Sequence, residues 1–298
     1  MSTTISEATT QTLEVPGATL TYDIRRNDAS TDPPLFLIGS PMAAAGFGTL
    51  IGHFPDRTII TYDPRGSERS TKADPSTQST PDEHADDLHR VIQAIGGGPV
   101  DLFASSGGAT NALALVARHP EDVRTLVAHE PPVATVLPDS ENAKAAARAV
   151  NETYKRSGFG AGMAHFIAVV SHEGEFPDDF AQQPAPDPAM FGMPTEDDGS
   201  RDDVLMAQNI VTGTHYELDF GALRKASTRI VLALGIESRQ IMTGRATKAV
   251  AERLGTQPVI FPSGHGGFLG GEYGQRGDPD AFAAKLREVL AGQAAAAR

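Results

Sequence analysis

Short apolar runs recur along the chain, and segments whose apolar residues return every three or four positions follow them. The continuous runs are typical of strands buried on both faces of a parallel sheet, and the periodic segments have the spacing of amphipathic helices. The alternating stretch around Pro16-Gly17 predicts two further strands, within residues 13–25, joined by a tight turn. The predicted buried strands lie at residues 35–38, 58–62, 123–129, 229–234 and 258–261, with one more opening at Pro99. The predicted helices lie at residues 47–54, 81–95, 110–118, 243–254 and 279–290.

Strands that alternate with helices predict an α/β fold with a mostly parallel central sheet and helices on both faces. The alternation is interrupted between residues 133 and 222, where no strong buried strand occurs. An insertion of this length predicts a helical lid over the carboxyl ends of the strands, where ligands bind in open α/β sheets. Its expected helices are 140–154, 161–171 and 202–212. The predicted parts are a first core part (1–135), a lid or cap insertion (136–222) and a second core part (223–298).

Composition and charge exclude several classes of binding partner and site. The 298 residues carry a net charge of −13 and include no cysteine. Basic clusters are missing, so nucleic acid is not an expected partner, and disulfides and thiolate metal sites are excluded. The N-terminal residues do not resemble a signal peptide, and no apolar run reaches the roughly 18 residues of a membrane span. We therefore expect a cytoplasmic protein with no membrane partner; its oligomeric state is left open.

The turn Ala104-Ser105-Ser106-Gly107-Gly108 is the strongest candidate for chemistry. A serine in a sharp turn between strand and helix is a nucleophile elbow, and small residues two positions before and after it let the strand and helix pack closely. This register makes Ser106 the nucleophile. The first amides of the helix then lie beside its oxygen, where they can stabilise an oxyanion. A glycine-rich loop without catalytic function is the alternative that the turn alone leaves open.

His265 is the candidate general base, because it follows the last predicted strand in a loop bounded by glycines that can bring it to Ser106. The order of a serine, an acid and then this histidine is that of an α/β-hydrolase. From Leu13 to Leu290 the chain resembles the α/β-hydrolase superfamily. The elbow, the 38–41 loop, the Asp-Pro-Arg-Gly turn at 63–66 and the late Gly-His fall where that family has them.

The resemblance implies several further roles. The loop Ile38-Gly39-Ser40-Pro41 matches the family's His-Gly-x-Pro loop, with isoleucine in place of the histidine. It implies that the backbone amides of Ser40 and Gly107 form the oxyanion hole and that Met42 lines the substrate pocket. The family's turn after the fourth strand is matched by Asp63 and Arg65, which we expect to form a structural ion pair.

Two glutamates compete for the role of triad acid. The common position after the seventh strand of the family is Ser238 here, and Glu237 lies one residue early. The second position is the end of the preceding strand, where His129-Glu130-Pro131-Pro132 resembles the His-Glu-x-Pro of zearalenone-type lactonases, whose glutamate is the acid. Glu130 is therefore the preferred acid and Glu237 the alternative. A non-catalytic carboxylate at the strand end is the remaining interpretation of Glu130.

No cofactor and no metal are expected. The glycines of residues 264–277 do not follow a strand and open a helix as a dinucleotide site requires, and the acidic residues of 178–198 lack the spacing of metal ligands. The insertion is rich in methionine and other apolar residues, which suggests an apolar cavity for a small molecule. These residues are Met163, Phe166, Ile167, Met190, Phe191, Met193, Leu205 and Met206.

Taken together, these patterns predict a lidded serine hydrolase that cleaves an apolar carboxylic ester or lactone through a Ser-His-Glu triad and an acyl-enzyme. A lyase or carbon–carbon bond hydrolase could use the same Ser-His pair. A non-catalytic ligand-binding protein is also compatible with the fold, since a fold does not fix a function.

Overall fold

A mixed, mostly parallel β-sheet forms the centre of the protein, whose computed structural model describes residues 7–292. Within them, the sheet order is β1-β2-β4-β3-β6-β7-β8-β9, and β5 pairs with β2 outside this path. The strands β3, β4 and β6 to β9 run parallel, whereas β1, β2 and β5 form the antiparallel part. The strands are β1 (Thr9–Val15), β2 (Ala18–Arg25), β3 (Leu35–Ile38), β4 (Ile59–Asp63), β5 (Thr71–Lys72), β6 (Val100–Ser105), β7 (Val123–His129), β8 (Arg229–Gly235) and β9 (Val259–Phe261).

Helices cover both faces of this sheet, as the alternating pattern predicts. The α-helices are α1 (Gly48–Gly52), α2 (Pro81–Ala94), α3 (Gly107–Arg118), α4 (Ser140–Ser171), α5 (Ile210–Thr214), α6 (Phe220–Lys225), α7 (Met242–Arg253) and α8 (Pro279–Leu290). Successive residues of β3 separate the two cores: Phe36 packs with α2, α3 and α7, whereas Leu35 and Leu37 pack with α1 and α8. This alternation follows from the two-residue period of a strand that is buried on both faces. The expected α/β fold is confirmed.

The segment between β7 and β8 is helical, and no strand lies within it in the described chain. Its long helix α4 contains one residue with non-helical angles, Gly158 (φ 81°, ψ −173°), in the gap between the helices predicted at 140–154 and 161–171. A π-helical turn, Val204–Asn209, precedes α5. The boundary expected at residue 222 falls inside α6.

The insertion is tied to the core at several points. The amide of Ser79 donates to the carbonyl of Gln208 (3.0 Å), and the hydroxyl of Thr212 donates to the carbonyl of Ser79 (2.5 Å). Arg245 of α7 pairs with Asp139 at the start of α4. None of the described helices combines the length and the apolar character that crossing a membrane requires.

Candidate active site

Ser106 lies between the last residue of β6 and the first residue of α3, at the carboxyl edge of the sheet. Its backbone adopts φ 59° and ψ −130°, a conformation that residues other than glycine rarely adopt. Hydrogen bonds hold the turn: the amide of Ser106 donates to the carbonyl of His129 (2.9 Å), and its carbonyl accepts from the amide of Ala109 (2.9 Å). The side chain of Ser106 is half-buried. The turn therefore presents the hydroxyl at the surface of the core, above the amino end of a helix.

The helix α3 approaches the loop after β3 so closely that only glycine fits at its first two positions. A Cβ at Gly107 would lie 2.7 Å from the carbonyl oxygen of Ser40, and one at Gly108 would lie 2.9 Å from the Cα of Gly39. Real Cβ atoms do not make backbone contacts this short. The two predicted oxyanion residues, Ser40 and Gly107, are thus neighbours in space.

Met42 lies over the same loop. A Cβ at Gly39 would be 2.8 Å from the Cβ of Met42, and a Cβ at Gly46 would be 2.5 Å from its sulfur and 3.1 Å from the ring of Tyr273. Met42 is half-buried. It therefore packs beside the loop that carries Ser40, with Tyr273 as a neighbour.

Glu130 and His265 are in direct contact. The carboxylate oxygen Oε2 of Glu130 lies 2.6 Å from Nδ1 of His265 and accepts a hydrogen bond from the hydroxyl of Thr243 (3.0 Å). Its other oxygen, Oε1, accepts from the amide of Gly235 (2.9 Å). Glu130 is fully buried, whereas the side chain of His265 is 39% exposed. A buried carboxylate thus holds one nitrogen of an imidazole whose ring reaches solvent.

The electrostatics keep Glu130 ionised. Burial alone raises the pKa of this carboxyl, but the hydrogen bond from His265 and the proximity of His129 and His265 outweigh burial and lower the pKa to about 2. An ionised carboxylate accepts only, so Nδ1 of His265 carries the proton in this contact and Nε2 is left to take part in proton transfer.

Glu237 is placed differently. It lies in a short 3-10 turn, Ile236–Ser238, directly after β8, and its side chain is exposed. Its Oε2 is close to Gly264, 3.3 Å from where a Cβ would be, yet no hydrogen bond joins it to His265 in the described chain. The one-residue offset thus leaves Glu237 at the surface while Glu130 contacts the imidazole.

Sequence reasoning missed the partners of Glu130. Thr243 is recognisable only as the start of a predicted helix, and Gly235 contributes a backbone amide, which no sequence pattern marks. His129 precedes Glu130 in the chain and is buried like it. This position directly before Glu130 is the sequence feature that marks it as a neighbour of the site.

The prediction that Asp63 and Arg65 form an ion pair is wrong. Arg65 makes a bidentate contact with Asp87 of α2, with both N–O distances at 2.7 Å. Asp63 instead accepts from the side chain of Arg69 (2.6 Å) and from the amide of Ala44 (3.0 Å). The side chains of the turn therefore diverge, one toward α2 and the other toward the loop before α1.

Four of the eight apolar residues that suggested a cavity belong to a hydrophobic core or pack against it. Met206 is fully buried, and Met163, Phe166 and Leu205 pack against the same cluster. Met190, in contrast, is 75% exposed. Core packing, rather than contact with a ligand, therefore accounts for half of this set.

One cluster outside this site has metal-ligand residue types: His89, His119 and Asp122. Nδ1 of His89 lies 2.6 Å from Asp122, and the two imidazole rings stack with their centroids 3.9 Å apart and their planes at 15°. Imidazole nitrogens bind a metal in the ring plane, so two nearly parallel stacked rings do not converge on one ion. The geometry is that of a stacked pair beside a carboxylate.

A family model and a relative of similar length both match this chain. Residues 39–213 match the family model described as alpha/beta hydrolase fold. The protein named uncharacterized hydrolase YraK, from Bacillus subtilis (strain 168), is 30% identical over 263 residues, which cover 86% of this chain and 89% of that protein.

Solved structures share the architecture. Carboxylesterase CesB (YbfK) from Bacillus subtilis matches with a TM-score of 0.65 and 15% identity, covering 96% of this chain and 92% of that chain. The enol-lactonase from Burkholderia xenovorans LB400 matches with a TM-score of 0.63 and 17% identity, covering 94% of this chain and 100% of that chain. At these identities the likeness shows a common fold.

Proposed function

Because the chain belongs to the alpha/beta hydrolase family, we propose that it is a serine hydrolase that cleaves a carboxylic ester or a lactone. Ser106 is the nucleophile, His265 the general base and Glu130 the acid of the triad. The contact between Glu130 and His265 (2.6 Å) is the observation that carries the proposal, since it fixes an imidazole at the edge of the sheet where Ser106 lies. The carboxylesterase and enol-lactonase among the structural neighbours act on the two substrate classes named.

The proposed reaction assigns a step to each of these residues. Nε2 of His265 takes the proton of the Ser106 hydroxyl, and the oxygen attacks the substrate carbonyl to give a tetrahedral oxyanion. The backbone amides of Ser40 and Gly107 donate to that oxyanion, consistent with the close approach of their two segments. Glu130 stabilises the imidazolium that forms.

Collapse of the tetrahedral intermediate breaks the bond to the leaving oxygen, which takes the proton from His265. Ser106 is then acylated; in a lactone the alcohol stays on the acyl chain. Water attacks the acyl-enzyme with His265 again as the base, and Ser106 is released. In this proposal the insertion between β7 and β8 acts as the lid, and Met42 lines the pocket for an apolar acyl or alcohol group.

Covalent labelling with a fluorophosphonate probe tests the nucleophile. Wild-type protein should be labelled at Ser106, and Ser106→Ala should be unlabelled and lose roughly 10⁴-fold or more in kcat/KM on p-nitrophenyl esters and aryl lactones. The exposed Ser227 supplies the matched control, because Ser227→Ala removes a hydroxyl on the surface. Equal hydrolysis by Ser106→Ala and wild type would sink the proposal.

The choice of acid is tested by the pair Glu130→Gln and Glu237→Gln. Glutamine keeps the size of the side chain but cannot stabilise the imidazolium, so kcat should fall roughly 10³- to 10⁴-fold for Glu130→Gln. Glu237→Gln should stay close to wild type, because this side chain is exposed and unbonded to His265. The reverse order of the two effects would assign the role to Glu237. Circular dichroism of both variants separates lost catalysis from lost folding.

A further inference from the structure

His129 is a buried histidine that the proposed reaction does not use. It is the last residue of β7, directly before Glu130, and it is fully buried. Four phenylalanine rings surround it: Phe103, Phe261, Phe268 and Phe282, with centroids 5.3 to 6.3 Å away. A polar ring in such an apolar setting is costly unless its nitrogens have partners.

Only one of its nitrogens has a hydrogen-bond partner. Nδ1 of His129 lies 3.1 Å from the hydroxyl of Ser105, which is also buried. Nε2 is buried and has no hydrogen bond within the described residues. Oε1 of the Glu130 carboxylate lies 3.8 Å from this nitrogen, which is beyond hydrogen-bond range.

The carboxylate decides the tautomer. A hydroxyl can donate or accept, so Ser105 tolerates either tautomer, whereas an ionised carboxylate only accepts. A lone pair on Nε2 would face the negative Oε1 of Glu130, but an N–H there directs its positive end at that oxygen. The proton of neutral His129 therefore lies on Nε2, and the hydroxyl of Ser105 donates to Nδ1.

His129 also packs against the base. Its ring is stacked on that of His265, with centroids 5.8 Å apart and planes at 23°. The charged or titratable groups that face it are Glu130 and His265, since the remaining ring neighbours are phenylalanines. Burial lowers the pKa of His129 to about 4, with the charge of His265 acting in the same direction and that of Glu130 opposing. It is therefore uncharged where His265 must become charged.

We propose that His129 is a positioning residue of the triad: it directs the Nε2 N–H at the Glu130 carboxylate and presents a neutral ring face to His265. This inference rests on the proposed function, because it assigns His129 a role in the Glu130–His265 pair. No proton moves to or from His129 at any step. The N–H dipole of His129 helps to keep the Glu130 carboxylate ionised. Its neutral ring packs against the imidazole of His265 and does not repel the imidazolium that forms there.

Three variants test this role. His129→Phe keeps an aromatic ring among the phenylalanines but removes both nitrogens, and His129→Gln keeps an N–H near the position of Nε2. The double variant His129→Phe/Ser105→Ala also removes the hydroxyl that His129→Phe would strand without a partner. We expect kcat to fall about tenfold in His129→Phe with KM little changed. His129→Gln should recover part of the loss, and the double variant should not.

Two further readouts distinguish positioning from packing. Without the N–H dipole the Glu130 carboxylate holds the imidazolium more tightly, so the acid limb of the kcat/KM profile should move to higher pH in His129→Phe. The downfield proton resonance of Nδ1–H of His265, bonded to Glu130, should shift in the same variant. Both changes are expected in the double variant as well.

A His129→Phe protein with the kcat, pH profile and resonance of wild type would overturn the inference, as would full recovery in the double variant. Ser106→Ala keeps the two failures apart. If it retains activity, the proposed function is wrong; if it is inactive while His129→Phe matches wild type, only the role of His129 is wrong. The resonance can be measured without any substrate.

Discussion

At the scale of single residues, Ser106 and Glu130 share an unusual backbone. Their φ angles are 59° and 51°, in the region that L-residues rarely adopt. Strain of this kind persists only where the surroundings impose it, and it is concentrated at active sites. Here neighbouring strands impose it: the amide of Ser106 donates to the carbonyl of His129 (2.9 Å), and that of Glu130 donates to the carbonyl of Ala233 (3.1 Å). The strands β6, β7 and β8 thus hold the backbone at both residues.

The buried carboxylate makes a pH-dependent contribution to stability. The pKa of Glu130 is lowered from 4.5 to about 2 on folding, so its contribution is fully present above the unfolded value and is lost as the pH falls toward the folded one. The difference in unfolding free energy between wild type and Glu130→Gln should therefore shrink by roughly 3 kcal/mol as the pH falls from about 6 to about 2. Urea unfolding of both proteins across this range measures it, and a difference that does not depend on pH would contradict the prediction.

Sequence alone could indicate Ser106 and His265, because each lies at a strand end flanked by small residues. It could not decide between Glu130 and Glu237, since both follow predicted strands and only their side-chain directions separate them. It also misassigned Arg65, whose partner Asp87 lies in another element. Which side chain an arginine meets across an interface depends on packing that no local pattern encodes.

At the scale of elements, the approach of α3 to the loop after β3 is the critical distance. Gly108→Ala would place a Cβ 2.9 Å from the backbone of Gly39, which has no flexible end to move away. The helix and the Ser40 loop must then separate by a few tenths of an ångström or more. Since displacements of the order of 1 Å near reacting groups cost about 100-fold in rate, we expect kcat to fall between tenfold and about 100-fold. Steady-state kinetics on a p-nitrophenyl ester measures this.

Gly213→Ala is the matched control. This glycine lies in α5, and a Cβ there has open space around it. Alanine should leave the rate unchanged and stabilise the fold by up to about 1 kcal/mol, since it is the better helix former. An unchanged rate in Gly108→Ala would show that the contact between α3 and the loop relaxes without consequence.

The elements themselves were largely predictable, because continuous and periodic apolar patterns are strong signals over five residues or more. The exceptions are short or irregular. The strand β5 has two residues and therefore no pattern. The span of α4 agrees with the two predicted helices, 140–154 and 161–171, because the non-helical angles of Gly158 place a kink between them. The π-helical turn Val204–Asn209 lies within the helix predicted at 202–212, and the carbonyl of its Gln208 accepts from the amide of Ser79.

At the scale of the whole molecule, the two ends of the sheet differ in character. The proposed chemistry lies at the carboxyl ends of β6 and β7. The amino end carries a buried ion network, in which Asp101 accepts from Arg57 (2.7 Å) and from Arg124 (2.5 and 2.9 Å). Asp101 and Ser106 belong to the same strand and its turn, five residues and roughly 17 Å apart. The stability of one end can therefore be changed without touching the other.

Asp101→Asn tests that separation. The side chain of Arg57 is only 5% exposed, so loss of the carboxylate leaves a buried cation without its counter-charge. Breaking such a pair costs about 3 to 5 kcal/mol. Arg124→Gln removes the partner that is 42% exposed and should cost less than about 1 kcal/mol. Unfolding in urea measures both. Because the network lies at the amino end of the sheet, kcat/KM of the folded Asp101→Asn protein should match wild type; a large loss of rate at full folding would mean that the two ends of the sheet are coupled.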